Sequence, residues 1–239
     1  NLTKDGKPNI KSLHEAHPVK SGYKAVVTKW FRVNSHIHPH PPARTKTANE
    51  HIRNHTKTGL SKSRIPDQLQ QELRNFLKSR FNGAVKENVP GGFISGAKEN
   101  GSPASELVEL NNELRARIHD TLRPLAEAWS GLALVPTYVY GIRIYRRNAA
   151  LKLHRDRFKT HIISAVLNID QEVAEDWPLV IEDNYRRIHH VILKPGEMVL
   201  YEGGRLLHGR PIPFNGEYFA NVFCHFRPND SASLAIPLL

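Results

Sequence analysis

Residues 141–156 read GIRIYRRNAALKLHRD, and the last four, Leu153-His154-Arg155-Asp156, decide how the rest of the chain is read. In an extended chain, residues i and i+2 point to the same side. His154 and Asp156 then present one imidazole and one carboxylate to the same point. A third ligand has to come from elsewhere, and His208 in residues 206–211, LLHGRP, is the best candidate. It follows a Pro195-Gly196 turn and a strand at 197–201, and lies 54 residues beyond His154. Two imidazoles and one carboxylate on one face leave three positions of an octahedral ion open. That is the arrangement of the non-haem Fe(II) oxygenases, in which O2 and a bidentate co-substrate both reach the metal.

Working outward, candidate strands cover residues 134–145, 160–169, 178–183, 187–193, 197–202 and 217–227, rich in Val, Ile, Tyr and Phe and separated by Gly, Pro, Asp and Asn. Upstream, Pro66 and Asp67 open a helix that carries Leu69, Leu73, Phe76 and Leu77 at helical spacing. Residues 83–103, rich in Gly, Asn and Pro, read as loop. A second helix is expected from about Ser105, with Leu107, Leu110, Leu114, Ile118 and Leu122 on one stripe. Pro124 is expected to kink or restart it, and Leu125 and Trp129 to continue the apolar face to Gly131. Two helices followed by a run of short strands predict an α+β fold, with the helices backing a largely antiparallel β structure.

Composition narrows the field further. The chain has 239 residues, 39% hydrophobic and 24% charged, which suits a globular body of one large domain or two small ones. No stretch approaches the roughly 20 apolar residues of a membrane span. The single cysteine, Cys224, excludes an intrachain disulfide and any thiolate metal cluster, so a metal site must use His, Asp and Glu. The net charge of +11 is concentrated at one end: residues 1–65 carry 13 Lys and Arg against three Asp and Glu. Half of the 14 histidines fall there too, including the alternating His36, His38 and His40, which read as part of a polar loop. No zinc-finger spacing, helix-turn-helix or RNA-binding motif accompanies the charge, which argues against a nucleic-acid partner.

The stretch 141–156, the strand-rich span after it, the Lys194-Pro195-Gly196-Glu197-Met198 segment and His208 together resemble the prolyl 4-hydroxylase branch of the Fe(II)/2-oxoglutarate dioxygenases. The resemblance covers roughly residues 63–228, and it implies that Tyr145, nine positions before His154, is a further co-substrate-binding residue. It implies a double-stranded β-helix, or jelly-roll, core with His154, Asp156 and His208 as iron ligands. The chemistry it implies is oxidative decarboxylation of 2-oxoglutarate to succinate and CO2, coupled to hydroxylation of an unactivated C–H. The substrate would be a peptidyl proline or a related side chain, with O2 as oxidant and ascorbate as reductant.

One position departs from the pattern. Relatives hold the distal carboxylate of 2-oxoglutarate with a Lys about ten residues after the second iron histidine, and here that position is Tyr218. A buried carboxylate needs a cation. Arg210, two residues past His208, and Arg143, which shares a strand face with Tyr145, are the substitutes, and Arg210 with Tyr218 is the leading pair for the co-substrate. The absent Lys also motivates a competing reading, a non-catalytic dioxygenase-like domain that binds peptide through the same groove.

Residues 12–32, SLHEAHPVKSGYKAVVTKWFR, resemble residues 206–227, LLHGRPIPFNGEYFANVFCHFR. Gly22 follows His14 as Gly216 follows His208, and Lys24 stands where the family has its Lys. The expected organisation is therefore residues 1–33 as the closing segment of an upstream repeat, 34–62 as a basic His/Pro-rich linker, and 63–239 as the dioxygenase domain. A second competitor is a basic adaptor that binds an acidic partner through residues 1–65. Sequons at Asn1, Asn54, Asn100 and Asn229 fit a secretory or endoplasmic-reticulum route, but they leave the compartment open.

Overall fold

The computed structural model describes residues 53–96 and 101–230. The segment 1–33 with its His14 and Lys24, and the His36, His38 and His40 run, lie outside the described residues. In chain order the elements begin with β1 (Leu60–Arg64), α1 (Asp67–Arg80), β2 (Val85–Lys86), β3 (Ile94–Ser95), β4 (Ser105–Leu107) and α2 (Asn112–Ser130). An all-β half follows: β5 (Leu134–Arg146), β6 (Ala150–His154), β7 (Ile163–Val173), β8 (Leu179–Glu182), β9 (Ile188–Val191), β10 (Glu197–Tyr201), β11 (His208–Arg210) and β12 (Gly216–Pro228).

Helix α1 begins after Pro66, has Asp67 in its first turn and Lys78 and Arg80 in its last, as the helix dipole favours. Its Leu69, Leu73 and Leu77 recur every four residues and are buried. Helix α2 starts later than the sequence suggests. The Asn111 side chain accepts from the Leu114 N–H at 2.8 Å and caps it, while residues 105–107 are extended and pair with β5. Pro124 does not restart the helix, which runs to a left-handed Gly131. Pro124 lies on the exposed face, where the carbonyl it leaves without an amide partner meets water. Leu125 is exposed as well, and Ala126 continues the buried stripe of Leu114, Ile118 and Leu122.

The strands form two antiparallel sheets, a seven-stranded one in the order β1-β10-β7-β12-β5-β4-β2 and a five-stranded one in the order β3-β6-β11-β8-β9. This is the expected jelly roll. The period of two along β12 divides its side chains between two environments. Ala220, Val222, Cys224 and Phe226 join the core shared with α1 and α2, while Phe219, Asn221, Phe223 and His225 face the space between the sheets. A one-residue slip would exchange the two sets, so burial of the apolar set fixes the register. Each fully buried Leu, Ile or Phe contributes about 1.5–3 kcal/mol to that choice.

The boundary placed at residue 62 is corrected. Residues 60–64 form the edge strand β1 against β10. Just before it, the Thr56 N–H and hydroxyl donate to buried Glu202 at 2.9 and 2.8 Å, and the His55 N–H donates at 3.2 Å. A buried carboxylate requires such donors, so residues 55–62 belong to the folded body. The 83–103 segment, read as loop, also contributes the two-residue strands β2 and β3.

Candidate metal centre

His154 ends β6 and His208 begins β11, and the two are register partners on adjacent antiparallel strands, with ring centroids 4.6 Å apart. Asp156 lies just past the end of β6, and its N–H donates to the Gly203 carbonyl at 2.9 Å. The His154 Nε2 is 3.8 Å and the His208 Nε2 3.7 Å from Asp156 Oδ1. The three ligand atoms all lie within 4.8 Å of one another, close enough for small side-chain rotations to bring them onto one ion. The three ligands proposed from the sequence are thus brought together.

The surroundings prepare each ligand. His154 Nδ1 contacts the Lys152 carbonyl at 2.8 Å, and His208 Nδ1 contacts the Leu206 carbonyl at 2.9 Å. A carbonyl only accepts, so Nδ1 carries the proton in both rings and the Nε2 lone pairs point at the shared centre. Burial pushes the His208 imidazole down to about 4, against the opposing pull of Asp156, so the ring is neutral and ready to ligate at neutral pH. Burial opposes ionisation of Asp156, but the imidazoles of His208, His225 and His154 outweigh it and hold the carboxyl below its usual value. Its Oδ2 accepts from Tyr201 Oη at 3.2 Å and Ser164 Oγ at 3.3 Å. A Cβ on Gly203 would collide with Asp156 Oδ2 and Ser164 Oγ, so only glycine leaves the carboxylate in place.

The triad opens onto a cavity of about 550 Å³ between the sheets. Its walls are largely apolar and aromatic, including Phe93, Tyr140, Leu179 and Phe223. His225 and His161 also line it, with their rings stacked 3.8 Å apart. His161 is therefore a cavity residue. His225 Nδ1 lies 2.8 Å from Ser164 Oγ, which ties the stack to the hydroxyl that also contacts Asp156.

Three of the four residues proposed for the co-substrate line this cavity, and one does not. Arg210 is 2% exposed. Its guanidinium packs against the rings of Trp177 and Phe219, 4.7 and 4.5 Å from their centroids. Nη1 donates to the Trp177 carbonyl, and Nη2 has no partner among the described residues. Burial lowers the Arg210 pKa to about 10, which leaves it charged at neutral pH. Arg143 is already engaged. Its Nε and Nη2 grip both oxygens of Glu87 at 2.6–2.9 Å, and its Nη1 reaches Tyr145 Oη at 3.3 Å. Glu87 also accepts from Ser105 Oγ at 2.6 Å and Tyr140 Oη at 2.5 Å, so Arg143 latches the 85–96 segment to the cavity wall.

Tyr218 is the correction. It points to the helix side of the sheet, where its ring meets Phe81 edge-on at 4.9 Å. The ladder between β12 and β7 shifts register between Gly216 and Tyr218, and the cavity side begins at Phe219. Asn221, Trp177, Glu87 and Gly203 were not found from the sequence. Asn221 alone carried a usable signal, being an inward position of an alternating strand.

No family model matches the sequence, and no curated protein is significantly similar to it. Solved structures are similar in shape. A prolyl-4-hydroxylase from Pseudomonas putida superposes with a TM-score of 0.53 at 19% identity, covering 72% of this chain and 94% of its own. AviO1 from Streptomyces viridochromogenes gives 0.53 at 16% identity over 82% of this chain and all of its own. HygX from Streptomyces hygroscopicus, solved with nickel and 2-oxoglutarate bound, gives 0.51 at 14% identity over 72% and 84%. The fold is that of the Fe(II)/2-oxoglutarate-dependent oxygenases.

Proposed function

We propose that the chain is an Fe(II)/2-oxoglutarate-dependent hydroxylase acting on a peptidyl proline or a related side chain, with ascorbate as reductant. The observation that carries the reading is Arg210. A buried cation with a free N–H lies two residues along the strand from His208, in the cavity onto which the triad opens. A buried charge without a counter-ion is costly, and a carboxylate ligand supplies one.

The residues present fit the metal: two imidazoles and one carboxylate converge on a single point and leave one side open to the cavity. Bound there, Fe(II) would supply the redox chemistry that couples decarboxylation of the 2-oxo acid, to succinate and CO2, with insertion of one oxygen atom from O2 into a substrate C–H. The chain's own part is positional. His154, Asp156 and His208 would hold the ion. Arg210 Nη2 draws one carboxylate of the co-substrate to the far end, and Tyr145 Oη, held by Arg143, lines the same cavity. The apolar walls keep bulk water from the reacting groups. At the mouth, Phe93 and Tyr138 are 41% and 51% exposed, a surface that suits the ring of a proline-containing segment.

Arg210 weakens the motive for a non-catalytic domain, since a cation is present although the Lys is not. No helix among the described residues is long and apolar enough to cross a membrane. The test is turnover: succinate released from 2-oxoglutarate only with Fe(II) and O2, and lost in His154→Ala. Absence of any iron-dependent succinate from the folded, metal-loaded protein, with or without proline-containing peptides, would overturn the proposal.

A further inference from the structure

Asn221 lies on the cavity side of β12, fully buried, and neither its Nδ2 nor its Oδ1 has a hydrogen-bond partner among the described residues. Of the buried side-chain polar atoms without a partner there, only those of Asn221 and Arg210 belong to residues that line the cavity. Native interiors rarely leave a carboxamide unbonded, and an exception calls for an explanation such as a ligand. The strand fixes its place. Phe219, two residues earlier, carries the Arg210 guanidinium 4.5 Å from its ring centroid, and His225, four residues later, comes within 4.0 Å of Asp156. Along β12, Asn221 thus falls between the residue beneath the cation and the residue beside the metal ligands.

We infer that Asn221 is a further co-substrate-binding residue, its Nδ2–H donating to a carboxylate oxygen of the 2-oxo diacid that Arg210 also holds; the inference rests on the 2-oxoglutarate reading above. Arg210 brings Nη2 to the ligand, while its Nη1 is spent on the Trp177 carbonyl. A 2-oxo diacid is acceptor-only at neutral pH, so it needs additional donors, and Asn221 has one to give. A neutral donor also binds the anion without adding a second positive charge beside Arg210.

The test uses the full chain loaded with Zn(II), which is redox-inert, and calorimetric titration with 2-oxoglutarate. Asn221→Leu, close in size, is expected to weaken 2-oxoglutarate about ten-fold, the loss of one neutral hydrogen bond. Asn221→Asp, equal in size but with a carboxylate facing the ligand's own, is expected to weaken it at least about 100-fold. Zn(II) affinity should stay as in the wild type for both. Asn221→Ala serves if either variant unfolds, since it is smaller, creates no clash, carries no side-chain donor and is expected to show the same loss as Leu. Asn221→Asp or Asn221→Ala binding 2-oxoglutarate like the wild type, with only Tm lowered, would overturn the inference alone and leave Asn221 as a packing partner of Asn168, its neighbour on β7. A wild-type chain that binds Zn(II) but not 2-oxoglutarate would overturn the inference and the proposed function together.

Discussion

His154 and His208 are register partners across β6 and β11, and each turns its Nε2 toward the same Asp156 oxygen while its Nδ1 is held by a carbonyl two residues earlier in its own chain. The backbone thus sets both the direction and the tautomer of the two rings before any ion arrives. His154→Ala, Asp156→Ala and His208→Ala are each expected to abolish iron-dependent turnover and to lower metal stoichiometry, while the far-ultraviolet circular dichroism stays that of the wild type. Full metal binding in any one of them would remove that residue from the centre.

Gly203 supports Asp156 from behind. An added methyl group would collide with Asp156 Oδ2 and Ser164 Oγ, so the carboxylate has to leave the position in which it faces the two imidazoles. Gly203→Ala is expected to weaken Zn(II) binding about 10- to 100-fold, the range seen when a residue that orients a metal ligand is lost. Unchanged Zn(II) affinity in a folded Gly203→Ala chain would show that the carboxylate tolerates the displacement.

The co-substrate residues separate by the face they occupy. Arg210→Ala removes the charge-assisted partner of a buried carboxylate, a loss of about 2–5 kcal/mol, and is expected to raise the 2-oxoglutarate requirement about 30-fold or more. Tyr218→Phe is expected to leave it unchanged, because Tyr218 packs against Phe81 on the helix side. For the same reason Tyr218→Lys should not rescue Arg210→Ala. Rescue would mean that residue 218 reaches the cavity after all. Arg143→Ala should act through stability instead, by leaving Glu87 buried without its cation, at about 3–5 kcal/mol.

How far the sequence could be read follows from which interactions are local. The His154-x-Asp156 pair and the inward positions of β12 obey the period of two, and α1 obeys the helical period, so all three can be read from spacing alone. The same period sets Tyr218 with Ala220 and Val222 on the helix side, and the co-substrate assignment followed a residue count instead. Counting ten residues from His208 assumes an unbroken ladder, and the ladder between β12 and β7 shifts register between Gly216 and Tyr218 and again between Ala220 and Asn221. Glu87 was hidden because a loop carboxylate acquires meaning only from Arg143, 56 residues later. The strand β1 was masked by its composition. LSKSR has no apolar alternation, since an edge strand with largely exposed side chains has little to bury.

That edge strand makes the N-terminal boundary testable. Deleting residues 1–33 is expected to leave 2-oxoglutarate and Zn(II) affinity unchanged, whereas deleting residues 1–62 should destabilise the domain. The longer deletion removes the Thr56 and His55 donors to Glu202, which is 1% exposed, along with most of the β1 ladder to β10. A buried carboxylate stripped of its donors costs more than the roughly 1 kcal/mol of an ordinary hydrogen bond. Chemical denaturation of the two deletions compares them directly, and equal midpoints would place residues 53–62 back in the linker.

The buried imidazoles set the acid limit of the metal-free fold. Burial lowers His208 to about 4 and His225 to about 3, below the ordinary 6.5, so both are neutral in the folded chain over a range where the unfolded chain protonates them. Between about pH 6.5 and pH 4 the unfolded state therefore binds more protons, and stability falls as pH falls through that window. Above pH 6.5 neither state is protonated at these rings, and their contribution to stability is complete. Zn(II) ligates the neutral His208 ring and should oppose the fall, since binding only the folded, deprotonated form pulls the equilibrium toward it. Urea midpoints at pH 7.5 and pH 5.0 are thus expected to differ more without Zn(II) than with it, and replacing His225 with Phe should shrink the metal-free difference. A metal-free midpoint that is flat over this range would mean that the two imidazoles titrate normally and are open to water.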